Sequence, residues 1–380
     1  MSIAADVAIV GAGIAGLWTA HRLRTAGYSV VVVTDRAPGA GQTIASQGIV
    51  HSGLKYALGG SLNAASEQIA DMPDHWRGCM VGQGDVDLRG VEMSSDAFYM
   101  MADASVTSRL TAFFGGQLTA GRSHRLKRDA FPPALDTPEF QGTVFAMSDF
   151  VLSAESVVDH LCTDLTIVQE RVEAKIDGGN LVNLETDTGR HIKAQHFVFA
   201  AGAGNETLIA EANLPFRTQR RPLCQVSVHA PGIPPLFAHV VSLRHGSKPR
   251  VTITSHRDHD GNVVWYLGGN LAEQGARRRD AEQIEHARAE LNNLFPWIDG
   301  LRRADIRCHR IDRSEPAAEH KRPKEPVCLA RGNISVGWPI KFTMAPMLAN
   351  QVLNSLSHIS PGVPQPAPTG TPAVAAPPWT

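Results

Sequence analysis

Val7-Ala8-Ile9-Val10-Gly11-Ala12-Gly13-Ile14-Ala15-Gly16-Leu17 is an apolar run that breaks into glycines spaced Gly-x-Gly-x-x-Gly and then resumes. Leu17, Ala20 and Leu23 recur at helical spacing as far as Gly27, which predicts strand, tight turn, helix and stop. A second apolar run, Val30-Val31-Val32-Val33, ends in Thr34-Asp35-Arg36, about twenty residues beyond the glycines. The spacing has a chemical reason. Gly11 lets the chain turn, Gly13 lets a pyrophosphate approach the backbone, and Gly16 lets the helix pack on the strand. The helix start at Ile14 and Ala15 turns free N–H groups and a positive dipole toward phosphates. Asp35 would accept hydrogen bonds from the adenosine ribose. Together these features predict a dinucleotide site, without separating FAD from NAD.

The rest of the composition narrows the class. Among 380 residues, 43% are hydrophobic and 19% charged, enough for a large core and unlike a disordered or fibrous chain. Lys+Arg 36 against Asp+Glu 37 leaves a formal charge of −1, with no basic run of the kind that follows a phosphate backbone, so nucleic acid is not an expected partner. No apolar stretch approaches the ~20 residues of a membrane span, and no secretion signal opens the chain. The reading is a cytoplasmic protein, with peripheral membrane association left open. Cys79, Cys162, Cys224, Cys308 and Cys328 are scattered and show neither a disulfide framework nor a zinc spacing.

The run after Asp35 is not a second strand and helix. It is a small-residue loop, Gly39-Ala40-Gly41-Gln42-Thr43, followed by Ser46-Gln47-Gly48-Ile49-Val50-His51-Ser52-Gly53-Leu54-Lys55-Tyr56 and Gly60-Ser61-Leu62-Asn63-Ala64. This stretch resembles the FAD-dependent oxidoreductases of the D-amino acid oxidase superfamily, most closely the branch of glycerol-3-phosphate and L-2-hydroxyglutarate dehydrogenases. The resemblance implies FAD as cofactor. It implies that Arg36 and Thr43 border the cofactor, and that Ser46, Gln47, Gly48 and His51 sit beside the reactive flavin. It further implies that Val172 holds the adenine through its backbone and that Ala201-Gly202 closes a strand beneath the cofactor. Near the end, Gly337-Trp338-Pro339-Ile340-Lys341-Phe342-Thr343 resembles the segment that meets the flavin pyrimidine edge, so Gly337, Lys341, Phe342 and Thr343 are cofactor candidates. Trp338-Pro339-Ile340 stands where the family carries paired glycines.

The expected architecture is α/β: a discontinuous Rossmann-like FAD-binding domain (1–71, 150–216 and 331–357) with an inserted antiparallel-sheet substrate lobe (72–149 and 217–330). Residues 221–230, 238–243, 249–255 and 262–268 alternate as strands, and 273–294 reads as one amphipathic helix. Prolines from Pro361 to Pro378 predict that 358–380 is a disordered or polyproline-like tail, dispensable for catalysis.

Flavin oxidation needs a hydride acceptor, a base and anchoring charges. His51 is the candidate base. Lys341 is the candidate partner for negative charge, and Arg313 is the candidate clamp for a substrate carboxylate or phosphate. No metal is expected. His256-Arg257-Asp258-His259-Asp260 falls at a predicted turn without a second ligand cluster. The leading expectation is oxidation of a small anionic 2-hydroxy acid or polyol phosphate. The alternatives are an amine or amino-acid oxidase, and a flavoprotein acting on a peptide or protein residue. The small-molecule substrate and the electron acceptor (oxygen, quinone or another) are not named by the sequence.

Overall fold

Strands made of unbroken valine and isoleucine must be covered on both faces, as in a parallel sheet between helices. The computed structural model describes residues 2–53, 69–102, 123–241, 249–317 and 323–380. Motif positions 54–64 and the strand positions 242 and 243 therefore lie outside the described residues. Strand Ser2–Val10 pairs in parallel with Val30–Thr34 on one side and His191–Phe199 on the other. Thr166–Gln169 extends the sheet past Val30–Thr34. Beyond His191–Phe199 the sheet forks: the first residues of that strand pair with Asn180–Thr186, and its last ones run parallel to Ile334–Trp338. The helices Ile14–Thr25 and Ala345–Ser355 share one core on the sheet face, with Leu17, Leu348, Ala349 and Val352 fully or almost fully buried.

The second lobe is an eight-stranded sheet in the order Asp305–Pro316, Thr218–His229, Val263–Gly268, Val251–Arg257, Ala238–Val241, Phe98–Ala102, Thr143–Met147 and Ser123–Arg125. The four expected strands form its centre, and all pairings are antiparallel except Ala238–Val241 with Phe98–Ala102. Trp265 and Leu267 point away from the first lobe, into a core shared with Ala287 and Leu291 of the helix Asp280–Leu294. A small three-stranded sheet, Ile49–Val50, Phe150–Leu152 and Met93–Ser95, joins the lobes. Among the described residues no helix is long and apolar enough to cross a membrane. The architecture is thus a Rossmann-like α/β lobe carrying an antiparallel-sheet lobe.

Several boundaries differ from the sequence reading. Residues 72–91, expected in the inserted lobe, pack into the core of the Rossmann-like lobe through Met72, Trp76, Cys79, Val86, Leu88 and Val91. Trp76 is the reason: its ring meets Trp18 at 4.4 Å and stacks on Phe342 at 5.3 Å, while its indole N–H donates to Thr343 O at 3.0 Å. The helix expected over 273–294 is two, Asn270–Gly275 and Asp280–Leu294, interrupted by a turn at Arg277 and Arg278.

The largest correction concerns 358–380, which is not a loose tail. It runs along the Rossmann-like lobe without regular structure of its own, held by side chains that supply the hydrogen bonds its prolines lack. Gln365 pairs with both Val30 N and Val30 O at 2.9 Å, and Thr369 Oγ1 does the same with Ile167 N and O at 2.8 Å. Gly362 N and Val363 N donate to the carboxylate of Asp6, which also accepts from Ser29 and Gln195. Burial alone would raise the Asp6 pKa, but these donors outweigh it and hold the carboxyl below its ordinary value.

A second internal carboxylate gives a pH signature. Asp85 Oδ1 lies 2.8 Å from His75 Nε2, with Arg22 at 3.7 Å from its other oxygen. The hydrogen bond to Asp85 lifts the His75 pKa to about 10. A histidine raised on folding stabilises fully below its unfolded value of 6.5, and that contribution fades as pH climbs through the folded value. The thermal midpoint of the wild type minus that of His75→Gln should be largest at about pH 6 and shrink toward about pH 10; a difference independent of pH would contradict the pairing.

Candidate active site

The first strand ends where the cofactor must begin. Gly11 takes φ +117 and sits so close to the end of the neighbouring strand that a Cβ would stand 2.5 Å from Ala200 O. At Gly16 a Cβ would stand 1.9 Å from Gly11 O, so the turn closes only with glycine at both places. Thr43 Oγ1 accepts the Ile14 amide at 3.1 Å and fastens the loop after Asp35 to the helix start. Gly13 at the helix start offers no capping side chain and the first turn carries no acid, so the N–H groups that follow Ile14 and the helix dipole are left for an anion. Asp35 stands at the close of Val30–Thr34, exposed, with Arg36 at 3.6 Å.

These residues open into a cavity of about 1050 Å³ between the two lobes. Of the positions singled out from sequence, Gly11, Gly13, Ile14, Ala15, Asp35, Arg36, Thr43, Ser46, Gln47, Gly48, His51, Ala201, Gly202, Arg313, Gly337, Lys341 and Phe342 all line it. Gly16 lies behind the turn and Thr343 is fully buried behind Phe342; neither lines the cavity. Val172 pairs with Thr186 in the outer strands of the sheet and does not line it either. The charged lining comprises Arg36, Arg220, Arg310, Arg313 and Lys341 against Asp35, Glu273 and Asp312. The cationic excess suits a ligand that carries a pyrophosphate.

Residues 6–348 match the family described as DAO, the FAD dependent oxidoreductases. The chain belongs to that family. A probable FAD-dependent oxidoreductase of Pseudomonas aeruginosa, PA4991, is 42% identical over 363 residues, covering 94% of this chain and 92% of the relative. Its crystal structure superposes with a TM-score of 0.85 over 100% of this chain and 98% of that one, at 38% identity. Two more distant structures share the fold. Glycine oxidase from Geobacillus kaustophilus has a TM-score of 0.65 and 17% identity over 94% of this chain and 95% of its own. L-proline dehydrogenase from P. horikoshii has a TM-score of 0.69 and 15% identity over 98% and 96%. FAD is accordingly the cofactor, and the glycine turn, the uncapped helix and the cationic cavity fit it. The expected placement beside glycerol-3-phosphate and L-2-hydroxyglutarate dehydrogenases is not supported by these neighbours.

In this FAD-dependent oxidoreductase the flavin loop is tied to the second lobe by Gln47. Its amide nitrogen lies 2.9 Å from Tyr266 O and 3.1 Å from Thr252 O, both acceptors on the sheet above. Tyr266 returns the contact, its hydroxyl lying 3.2 Å from both Ala45 O and Gln225 Oε1. The roof of the cavity is built by the strands Thr218–His229 and Asp305–Pro316, where Leu223 faces Ile311, Gln225 faces His309 and Arg221 faces Arg313. An apolar middle is thereby flanked by a guanidinium at one end and by an imidazole and an amide at the other. His309 shares a hydrogen bond of 2.8 Å with Ser227 Oγ, and burial, then the nearby His229 and Arg307, lowers its pKa to about 4. Arg313 lies 3.7 Å from Glu273.

Sequence reasoning missed Gln225, Tyr266 and His309. Their common signal was period-two placement with a polar residue facing inward, which a search for apolar alternation passes over. Trp338-Pro339-Ile340, expected where the resembled family carries paired glycines, makes a tight turn: Ile340 takes φ +63, and Lys341 N bonds Pro339 O at 2.7 Å. This is a γ-turn centred on a β-branched residue, a strained arrangement, and it sets Lys341 in the cavity wall.

At Gly268 the lobes approach closely: a Cβ there would lie 2.3 Å from Gln47 Oε1. Gly268→Ala should displace the Gln47 carboxamide and cost about 1–3 kcal/mol in urea unfolding. In a Gln47→Ala background the same change should cost close to nothing. Equal costs in both backgrounds would show that the contact does not couple the lobes.

Proposed function

We propose that this FAD-dependent oxidoreductase oxidises the carbon–nitrogen bond of a small substrate bearing a carboxylate, an amino acid or a related amine. The observation that carries the reading is the roof of the cavity: Arg313, then the Leu223–Ile311 pair, then Gln225 and His309. A carboxylate held by the Arg313 guanidinium would lay its apolar portion under Leu223 and Ile311. Its nitrogen would then face the amide and imidazole. When bound, FAD supplies the hydride acceptor.

The protonation state of His309 separates amines from alcohols. An imidazole whose pKa lies about 4 is neutral at physiological pH and a weak base. Removing an alcohol proton during hydride loss calls for a stronger base. A neutral amine expels hydride with its own lone pair and needs only an acceptor for a proton already acidic. His51, buried in the same wall, is a further acceptor for that proton. The glycine oxidase and L-proline dehydrogenase that share the fold are named for carbon–nitrogen substrates, which supports the same reading.

Anaerobic bleaching of the flavin by a panel of amino acids, secondary amines, 2-hydroxy acids and polyol phosphates tests it. Amino acids or amines should bleach the flavin, and the other classes should not; reduction by a hydroxy acid or polyol phosphate alone would overturn the reading. With the best substrate, Arg313→Ala should raise KM by about 10- to 100-fold, the loss of one charge-assisted hydrogen-bond pair. An unchanged KM would remove Arg313 from the carboxylate site.

A further inference from the structure

The proline-rich segment reaches the cavity. Ala375 N donates to Pro38 O at 3.0 Å, and Ala376 and Pro378 then line the same space as Gly39, Ala40 and Gly41. One residue further, Trp379 crosses to the other lobe. It is almost fully buried there, stacked on His256 at 3.7 Å with the rings 16° apart and meeting Tyr266 edge-on at 4.9 Å. Tyr266 is the residue whose hydroxyl contacts Ala45 O and whose carbonyl receives Gln47. The segment is therefore anchored on the flavin lobe by Gln365, Thr369 and Ala375 and on the sheet lobe by Trp379, spanning the cavity between them.

We propose that residues 375–380 form a latched wall of the FAD site, and that Trp379 is a positioning residue that holds bound FAD by fixing this wall and, through Tyr266, the loop carrying Ala45 and Gln47. The physical case is one of linkage. The loop 37–47 carries groups on the cofactor path, and it is pinned from outside at Pro38 by the segment and from the roof at Ala45 and Gln47 by Tyr266. Trp379 continues the segment that holds Pro38 and packs on Tyr266, so it belongs to both arrangements. Releasing it frees Ala376 and Pro378 from the mouth and removes the ring that backs Tyr266, so the cofactor gains an exit while the hydrogen bonds that order the fold at Asp6, Val30 and Ile167 stay in place. The inference does not depend on which substrate the enzyme takes.

The test is the rate at which FAD leaves the substrate-free holoenzyme, followed by the rise of flavin fluorescence on dilution, together with the flavin absorption spectrum. Trp379→Ala should accelerate release about tenfold, the scale of one lost aromatic packing contact, and shift the visible bands. Trp379→Phe should restore slow release and the wild-type spectrum. Ala375→Pro, which removes a single N–H, should accelerate release in the same direction and serves as the measurement should Trp379→Ala fail to fold. Release at the wild-type rate with an unshifted spectrum in the folded variants would overturn the proposal, as would a Trp379→Phe enzyme that behaves like the alanine variant.

Discussion

The site depends on one close approach, where the turn after the first strand meets the end of His191–Phe199. Gly11 N bonds Val33 O at 2.7 Å and Ala200 N bonds Val10 O at 2.8 Å, so three parallel strands end together at a single point. A parallel sheet that stops abruptly leaves a crevice beyond its carboxyl edge, and that crevice is where a dinucleotide settles. The helix that follows must begin there, aimed at the crevice, because Gly16 packs its first turn directly over Gly11. Fold and binding site are in this sense the same event: removing the glycine contact would displace the helix dipole and the strand ends together.

The second lobe adds a roof, and the way it is joined explains how a cavity of about 1050 Å³ survives between two sheets. Apolar packing would close such a gap. Ile49 and Val151 do pack on Phe98, Met100, Phe145 and Met147 at one side, but over the cavity the junction uses directed polar contacts, Gln47 to the backbone of Thr252 and Tyr266, and the Tyr266 hydroxyl to Ala45. Hydrogen bonds set a separation that dispersion forces do not, because each is satisfied only near its own distance. Buried donors and acceptors left unmet would be costly, so both lobes are held at the spacing that leaves room for a cofactor.

The first stretch, as far as residue 53, was legible because its chemistry is local. A glycine turn, a helix start and an acid at a strand end each follow from neighbours in the chain, and apart from Gly16, which packs behind the turn, the residues they named line the cavity. The unread parts are those decided by partners far away. Trp76 looks like any residue of an inserted lobe until Trp18 and Phe342 are beside it. The segment 358–380 has the composition of a disordered chain, since prolines remove the donors that a strand would need. Its order comes from Gln365 and Thr369, whose side chains copy the backbone pattern against Val30 and Ile167. Two residues in a proline-rich stretch carry that information, and composition averages it away.

The charges of the cavity show how selectivity can be built without an empty cationic site. Arg310 is held by Asp280 at 2.7 Å and Arg220 by Glu206 at 3.0 Å, both at the exposed rim. Arg313 is nearer the apolar centre of the roof, half-buried, and its contact with Glu273 is longer, at 3.7 Å. Glu273 also lies 3.3 Å from Arg221, which in turn meets Glu315 at 3.4 Å. Under the proposed function, an incoming carboxylate would take the Arg313 guanidinium while Glu273 keeps a cationic partner in Arg221. The exchange replaces one charge pair by another, with no charge left buried and alone. At Arg310 the same exchange would strip Asp280 of a short contact. The strand pairing that sets Arg221 opposite Arg313 thus favours anion capture at the one position where the roof also offers an apolar surface.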